Sequence, residues 1–320
     1  MDLPILGIDI AKSKFDVCLL LNGKTKHKVC PNTPEGFQEL LGWLSRQKVD
    51  RVRACMEATG TYGEALATFL SDNGHPVSVV NPARIKAFAQ SEMVRTKTDK
   101  ADSGVIARFC LAFEPESWSP PAPETRELRA LVRRLNDLKE MAQMEENRLK
   151  SGLSSSHVVE SIEKNLKSLK RQIREVEDLI RDHIDRHPGL KSQHDLLTSI
   201  PGVGEITANA FLGEVGDITR YQNARGLVAA LGLSPRERRS GSSVRGKTRL
   251  CKTGNAILRR ALYMPALVAK RINPLIKSTC DRLLERGKAK MAVIGAAMRK
   301  LVHIMFGVLK NQTPFCATAA

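Results

Sequence analysis

The sequence predicts an α/β N-terminal domain, a helical coiled-coil arm and a mostly α-helical C-terminal domain. Three observations lead there. Short apolar runs alternate with amphipathic helical patterns as far as Phe113. Two long stretches with apolar residues three and four apart follow a proline-rich break. The net charge of +17 is concentrated in one part of the chain: residues 189–320 carry 22 Lys/Arg against 7 Asp/Glu, residues 1–120 carry 15 against 14, and residues 121–188 carry 14 against 13.

Taken in order, Ile5 to Ile10 reads as an apolar strand and Phe15 to Leu21 as a second. Asn22-Gly23 is the favoured two-residue hairpin turn and leads to a third strand around Lys26 to Cys30. Thr33, Pro34 and Glu35 supply a cap, a first-turn proline and a first-turn acid for a helix running to about Gln47. Val52 to Met56 is a buried strand, Tyr62 to Asn73 a helix closed by Gly74, and Val77 to Val80 the next strand. Helices around Ala83–Gln90 and Asp99–Phe113 complete the unit. The stretch Glu114 to Pro123 contains four prolines and cannot continue a helix or a central strand. In the arm, Leu128, Leu131, Leu135, Leu138 and Ala142 form one stripe, and Ile162, Leu166, Leu169, Ile173, Val176 and Ile180 a second. Ser151 to Ser156 lets them fold back, and the spacing leaves open whether the stripes pair within one chain or between chains. His187-Pro188-Gly189 ends the arm. The expected domains are therefore residues 1–123, 124–188 and 189–320.

Composition excludes several classes. Seven cysteines without a CxxC pair fit neither a disulfide framework nor a zinc knuckle and read as reduced, mostly buried thiols. The start has no positively charged leader, and the longest apolar run, Ala261 to Ala269, is too short to span a bilayer, so a soluble cytoplasmic protein without a membrane partner is expected. Aromatic residues make up 4%, too few for a single-strand binder built on base stacking. The basic C-terminal part suits a polyanion, since each phosphate it neutralises releases counterions.

Two constellations carry chemistry. Asp9 lies near the end of the first strand, Glu57 follows the fourth, and Asp99 and Asp102 share one face of a helix start. Each is also explained singly, as a turn residue or as a first-turn acid favoured by the helix dipole. Together, at strand ends where α/β sheets gather ligands, they form a candidate site for Mg2+ or Mn2+. The second is Ser234 to Lys252, where Ser240, Gly241, Ser242 and Ser243 are ringed by Arg236, Arg238, Arg239, Arg245, Lys247 and Arg249, with Lys252 beyond. A serine needs activation to act as a nucleophile, and guanidinium groups hold phosphate and stabilise developing charge. By itself such a loop fits a phosphate-binding role as well as a nucleophilic one. Nearby, Ser199 to Ala208 matches a helix-hairpin-helix turn, with Gly202 and Gly204 giving phosphate access to backbone amides. The helix around Leu258 presents Arg259 and Arg260 as an exposed pair.

These motifs, Gly-Ile-Asp-Ile-Ala-Lys, Glu-Ala-Thr-Gly-Thr-Tyr, Lys-Thr-Asp-Lys-Ala-Asp, Ile-Pro-Gly-Val-Gly, Ser-Gly-Ser-Ser-Val-Arg-Gly and Arg-Arg-Ala-Leu-Tyr-Met-Pro-Ala, span essentially the whole chain. Together they resemble transposases of the insertion-sequence one-ten family, RNA-guided bridge recombinases related to the Piv DNA invertases. The resemblance implies a RuvC-like domain of the ribonuclease H fold with a DEDD tetrad at Asp9, Glu57, Asp99 and Asp102. It implies a catalytic serine at Ser240, a phosphoserine intermediate assisted by Mg2+, and a bridge RNA pairing with target and donor DNA. It also implies dimers that join into tetramers, acting at the nucleoid. Two rival readings are a RuvC-like nuclease that uses water, and a nucleic-acid-binding scaffold whose acids have lost metal.

Overall fold

A computed structural model of the chain describes residues 3–58, 62–93, 98–152, 155–237, 239–240, 244–245 and 249–317, and of residues 239, 240, 244 and 245 the backbone alone. The chain divides into two compact units, Met1–Pro120 and Pro121–Ala320, the division falling inside the proline-rich stretch.

In the first unit, β1 (Ile5–Ile10), β2 (Lys14–Leu21), β3 (Lys24–Pro31), β4 (Arg53–Glu57) and β5 (Val77–Val80) form one sheet in the order β3-β2-β1-β4-β5. The first three make an antiparallel meander, and β4 and β5 run parallel to β1. Asn22 and Gly23 take φ of 49° and 75°, the pair of positive angles that lets a two-residue turn follow the twist of its strands. Parallel strands need crossovers, here α1 (Pro34–Arg46) and α2 (Glu64–Asp72). α3 (Pro82–Ser91) and α4 (Asp99–Phe113) follow β5. Thr33 caps α1 by accepting from the Gly36 amide at 3.3 Å, and Thr98 caps α4 by accepting from Ala101 at 3.2 Å. Glu57, expected just beyond its strand, is the last residue of β4.

Strand alternation sorts the sheet residues into two cores. Leu6, Ile8, Val17, Leu19 and Met56 pack with Phe37 and Leu40 of α1 and with Leu66 and Leu70 of α2. Ile5, Cys18, Cys55 and Val80 point the other way, onto Ile85 of α3 and Val105, Ile106 and Phe109 of α4.

The second unit opens with α5 (Pro123–Lys150) and α6 (Ser156–Arg186), an antiparallel hairpin. The arm's apolar seam closes within the chain: Leu138 and Ala142 meet Leu166 and Leu169, while Leu128, Val132 and Leu135 share a core with Ile180 and Ile184. Then come α7 (Pro188–Thr198), α8 (Glu205–Val215) and α9 (Ala224–Ala230). The segment read as a loop is a ribbon of two-residue strands, β6 (Pro235–Arg236), β7 (Arg239–Ser240), β8 (Val244–Arg245) and β9 (Arg249–Leu250). α10 (Ala256–Ala261), α11 (Tyr263–Ile272), α12 (Pro274–Glu285) and α13 (Lys290–Asn311) finish the unit. By length and composition α13 is able to cross a membrane, with a mean hydropathy of 1.6 over 18 residues, but 61% of that window is buried inside the unit. Val293, Ala297, Leu301, Val302 and Met305 are wholly buried, the pattern of a core helix. Among the described residues Cys18, Cys30, Cys55, Cys110 and Cys280 are buried, Cys251 is half-buried and Cys316 exposed, and none forms a disulfide.

Candidate active site

The acidic site is built on one missing side chain. A methyl group at Gly7 would lie 2.3 Å from the Ser103 carbonyl oxygen and 2.4 Å from the Ala107 nitrogen, so α4 rests directly on the β1 backbone. Asp9 is two residues further along β1, on the same face and beneath the first turn of α4, which carries Asp99 and Asp102. On one side Asp9 pairs in register with Asp16 of β2. On the other, the parallel register aligns Ile8 with Met56, and Glu57 is one residue beyond that pair.

The electrostatics follow from this crowding. Burial, then the charges of Asp102, Asp99 and Asp16, push the Asp9 carboxyl up to about 6, against the opposing pull of Lys14. Burial, then Asp9 and Asp102, also raise Glu57. Asp99 behaves oppositely: the Lys14 ammonium, 2.7 Å away, holds it below the usual carboxylate range. Lys14 also reaches Asp16 at 3.1 Å, and both carboxylates raise its pKa. Lys14 and Asp16 join the site only through the pairing of β2 with β1, which the sequence does not show, and Asp16 is 8% exposed within an otherwise apolar strand.

The four acids thus share one end of one sheet, and they are all hard oxygen donors of the kind that bind Mg2+ or Mn2+. Among the described residues no three His, Cys, Asp or Glu side chains converge closely enough to grip one ion. The Lys14 ammonium instead bridges Asp99 of this set and its neighbour Asp16. As hard oxygen donors the residues fit a divalent cation in chemistry.

Ser240 belongs to the second unit. In the ribbon Pro235 pairs with Leu250 and Arg236 with Arg249, and further out Arg239 pairs with Arg245 and Ser240 with Val244. Ser240 is therefore the last paired residue of β7. Gly241, Ser242 and Ser243, with Arg238 and Lys247, lie outside the described residues. Arg236 and Arg249 stand directly opposite one another across the ribbon, an unfavourable arrangement until an anion neutralises it. Arg236, Arg249 and Lys252 are exposed.

The segment read as a helix-hairpin-helix turn joins α7 to α8, and its two glycines differ. Gly202, at φ +100°, packs against α11: a methyl there would lie 2.7 Å from the Ala269 methyl. Gly204 faces open space at the start of α8, where backbone amides point outward. The Arg259–Arg260 pair requires correction. Arg259 turns inward and donates to the Leu231 carbonyl at 3.1 Å, while exposed Arg260 pairs with Glu140 of the arm at 2.5 Å. The helix ends at Ala261, so the two side chains leave it in different directions.

A family model described as "Transposase", of the DEDD type, matches residues 6–158, and one described as "Transposase IS116/IS110/IS902 family" matches residues 194–280. The chain is 33% identical over 318 residues to the pilin gene-inverting protein of Moraxella bovis, covering 98% of both chains. It is 32% identical, with the same coverage, to the pilin gene-inverting protein of Moraxella lacunata. To the transposase for insertion sequence element IS1111A of Coxiella burnetii it is 24% identical, covering 98% of this chain and 92% of that one.

Proposed function

This chain belongs to the IS110 family of transposases, DNA recombination enzymes, and from that premise we propose that it cuts and rejoins DNA through a phosphoserine link with metal assistance under RNA guidance. The sheet order and mixed strand directions support reading the first unit as a ribonuclease H-like, RuvC-like domain. The observation that carries the reading is the half-buried Asp9, raised to about 6 beneath Asp102 and Asp99 and beside Asp16. Carboxylates crowded so that burial and each other's charge raise their pKa values suit a cation that relieves the repulsion.

Asp9, Glu57, Asp99 and Asp102 hold Mg2+ or Mn2+. When bound, the ion stabilises charge on the scissile phosphate and on the departing oxygen. The serine Oγ of Ser240 bonds to that phosphorus as the bond to the departing strand's oxygen breaks; the serine proton passes to solvent and the departing oxygen takes up a proton to become a hydroxyl. The reverse attack, by the hydroxyl of another strand, restores a phosphodiester and frees the serine, so the energy of the bond is kept and no nucleotide is hydrolysed. Arg236, Arg239, Arg245 and Arg249 neutralise the phosphates on either side, consistent with their cross-strand pairing. A bridge RNA that pairs with target and donor DNA supplies the sequence choice, leaving the protein to read backbone and shape. Dimers joining into tetramers bring the two DNA partners together.

The test is to co-express the chain with RNA transcribed from its element's flanks and with DNA carrying the element's ends. Covalent protein–DNA adduct is then read on a denaturing gel with Mg2+. Adduct in the wild type, lost in both Ser240→Ala and Asp102→Asn, is the expected result. Cleavage without adduct that survives Ser240→Ala overturns the serine mechanism.

A further inference from the structure

The ribbon bearing Ser240 springs from a tight neck. Its two ends are tied by three backbone hydrogen bonds: Cys251 to Ser234 at 2.8 Å, Lys252 to Gly232 at 3.0 Å and Asn255 to Ala230 at 3.0 Å. The strands approach too closely for side chains. A methyl at Gly254 would lie 2.1 Å from the Ala230 carbonyl oxygen, and one at Gly232 would lie 2.9 Å from the Lys252 carbonyl carbon. Asn255 closes the neck and starts α10, its Oδ1 accepting from the Leu258 amide at 2.9 Å. Its Nδ2 is left to do something else, and donates to Glu214 Oε2 at 2.7 Å.

Glu214 is the unusual member. It lies on α8 with its side chain 2% exposed, a carboxylate almost entirely removed from water. Arg133 of the arm meets it with two hydrogen bonds, Nε to Oε1 at 2.7 Å and Nη2 to Oε2 at 3.0 Å. One turn earlier on α5, Arg129 donates to the Gly213 carbonyl at 2.7 Å. Burial by itself would raise Glu214, yet Arg133 and Asn255 hold it below the usual carboxylate range. Packing alone does not call for such an arrangement, since apolar side chains of similar volume fill a site of this kind at least as favourably. What a bidentate, fully engaged carboxylate adds is direction and a fixed distance.

We propose that Glu214 is a positioning residue: by gripping Arg133 on the arm and Asn255 at the neck, it fixes the base of the Ser240 ribbon to the helical scaffold. The catalytic consequence rests on the reading of Ser240 as the nucleophile; the anchoring itself does not. Two-residue strands have little stiffness of their own, so the aim of the serine is set where the ribbon is rooted. An orientation error of about 1 Å at a reacting group costs up to about a hundredfold in rate.

Asn255→Asp is the informative variant. It keeps the oxygen that caps α10, removes the donor to Glu214 and sets two carboxylates against each other. Expected are a preserved circular-dichroism spectrum and a cooperative melt, faster hydrogen exchange at amides of residues 230–236 and 249–252, and adduct formation slowed about tenfold or more. Binding to a generic 40-base-pair duplex should change less than about threefold, because no phosphate contact is removed. Adding Glu214→Gln to Asn255→Asp restores a donor–acceptor pair at the neck, keeps the Arg133 Nε bond while giving up the Nη2 one, and should recover part of the exchange protection, which a general loss of stability would not allow. Lys139→Gln, which breaks the half-exposed arm bridge to Glu177, serves as control and should leave ribbon exchange unchanged. Ribbon exchange at the wild-type rate in Asn255→Asp overturns the anchoring, whatever the nucleophile. Faster exchange with adduct formed at the wild-type rate overturns its role in aiming the serine. Adduct or cleavage persisting in Ser240→Ala, with exchange still accelerated in Asn255→Asp, sustains the anchoring and removes only the serine reading.

Discussion

Lys14 reaches from the start of β2 to Asp99 at the first turn of α4, placing an ammonium 2.7 Å from a carboxylate of the proposed metal site. The lysine is half exposed, and its interaction with Asp16 at 3.1 Å makes it a bridge between sheet and helix. If the site takes a divalent ion as proposed, an internal cation of this kind would stabilise the metal-free form and compete with it.

Lys14→Gln should therefore separate the two effects. Without metal its melting temperature falls by about 2 °C or less, the size expected of an exposed ion pair. With saturating Mn2+ the thermal gain exceeds that of the wild type, because no ammonium has to be displaced. Equal gains in the two proteins would show that Lys14 does not compete with the ion.

The pH behaviour of Asp9 has a definite sign. Its folded pKa of about 6 lies above the ordinary 3.8, so the folded state disfavours the ionised form. The destabilisation begins as pH rises past about 3.8 and is complete above about 6. Asp9→Asn should consequently melt higher than the wild type at pH 7.5 without metal, and the difference should shrink steadily toward pH 4. Its size is moderated by the half-exposed position of the carboxyl. The same proton opposes metal binding, so Mn2+ stabilisation of the wild type should weaken as pH falls through 6. A melting difference independent of pH would refute the assignment of strain to Asp9.

Gly7→Ala adds one methyl where Ser103 and Ala107 already stand. Equilibrium unfolding should report a loss of about 1–3 kcal/mol. DNA cutting should fall by a larger factor than the populated folded fraction explains, since the methyl lifts Asp99 and Asp102 away from Asp9. Activity that merely tracks the folded fraction would argue against that geometry.

The ribbon's facing arginines give a salt-dependent signature. In Arg236→Gln/Arg249→Gln, the slope of log binding constant against log salt should decrease by about two for a duplex probe. The free protein should be no less stable, because a cross-strand repulsion is relieved. An unchanged slope would take these two side chains off the phosphates.

Local chemistry made much of the fold legible. Thr33 before Pro34 marks a helix start that the structure reproduces. Asn22-Gly23 fixed a hairpin for the same reason. The gathering of Asp9, Glu57, Asp99 and Asp102 at one sheet end was readable because three of them stand at strand or helix termini. Features set by long-range register were not readable. Asp16 becomes an active-site neighbour only once β2 pairs with β1, and Lys14 only once α4 lies across the sheet. Gly202 reads as an accessible turn glycine until Ala269 of α11 packs onto it. The strands of the ribbon are too short, and too rich in arginine, serine and glycine, to show a period-2 pattern. α13 escaped notice as an apolar helix because Arg299 and Lys300 interrupt its run while its buried stripe continues past them.

The contact of α4 with Gly7 also bears on how the protein tolerates change. Side-chain packing has rotameric slack, and a repacked core shifts its helices by fractions of an ångström. Where one backbone lies directly on another, that slack is absent, so the height of α4 above β1 is insulated from drift elsewhere in its core. A change of size at Val105, Ile106 or Phe109 would then be felt as lost stability, while the spacing of the carboxylates above Asp9 stays nearly constant.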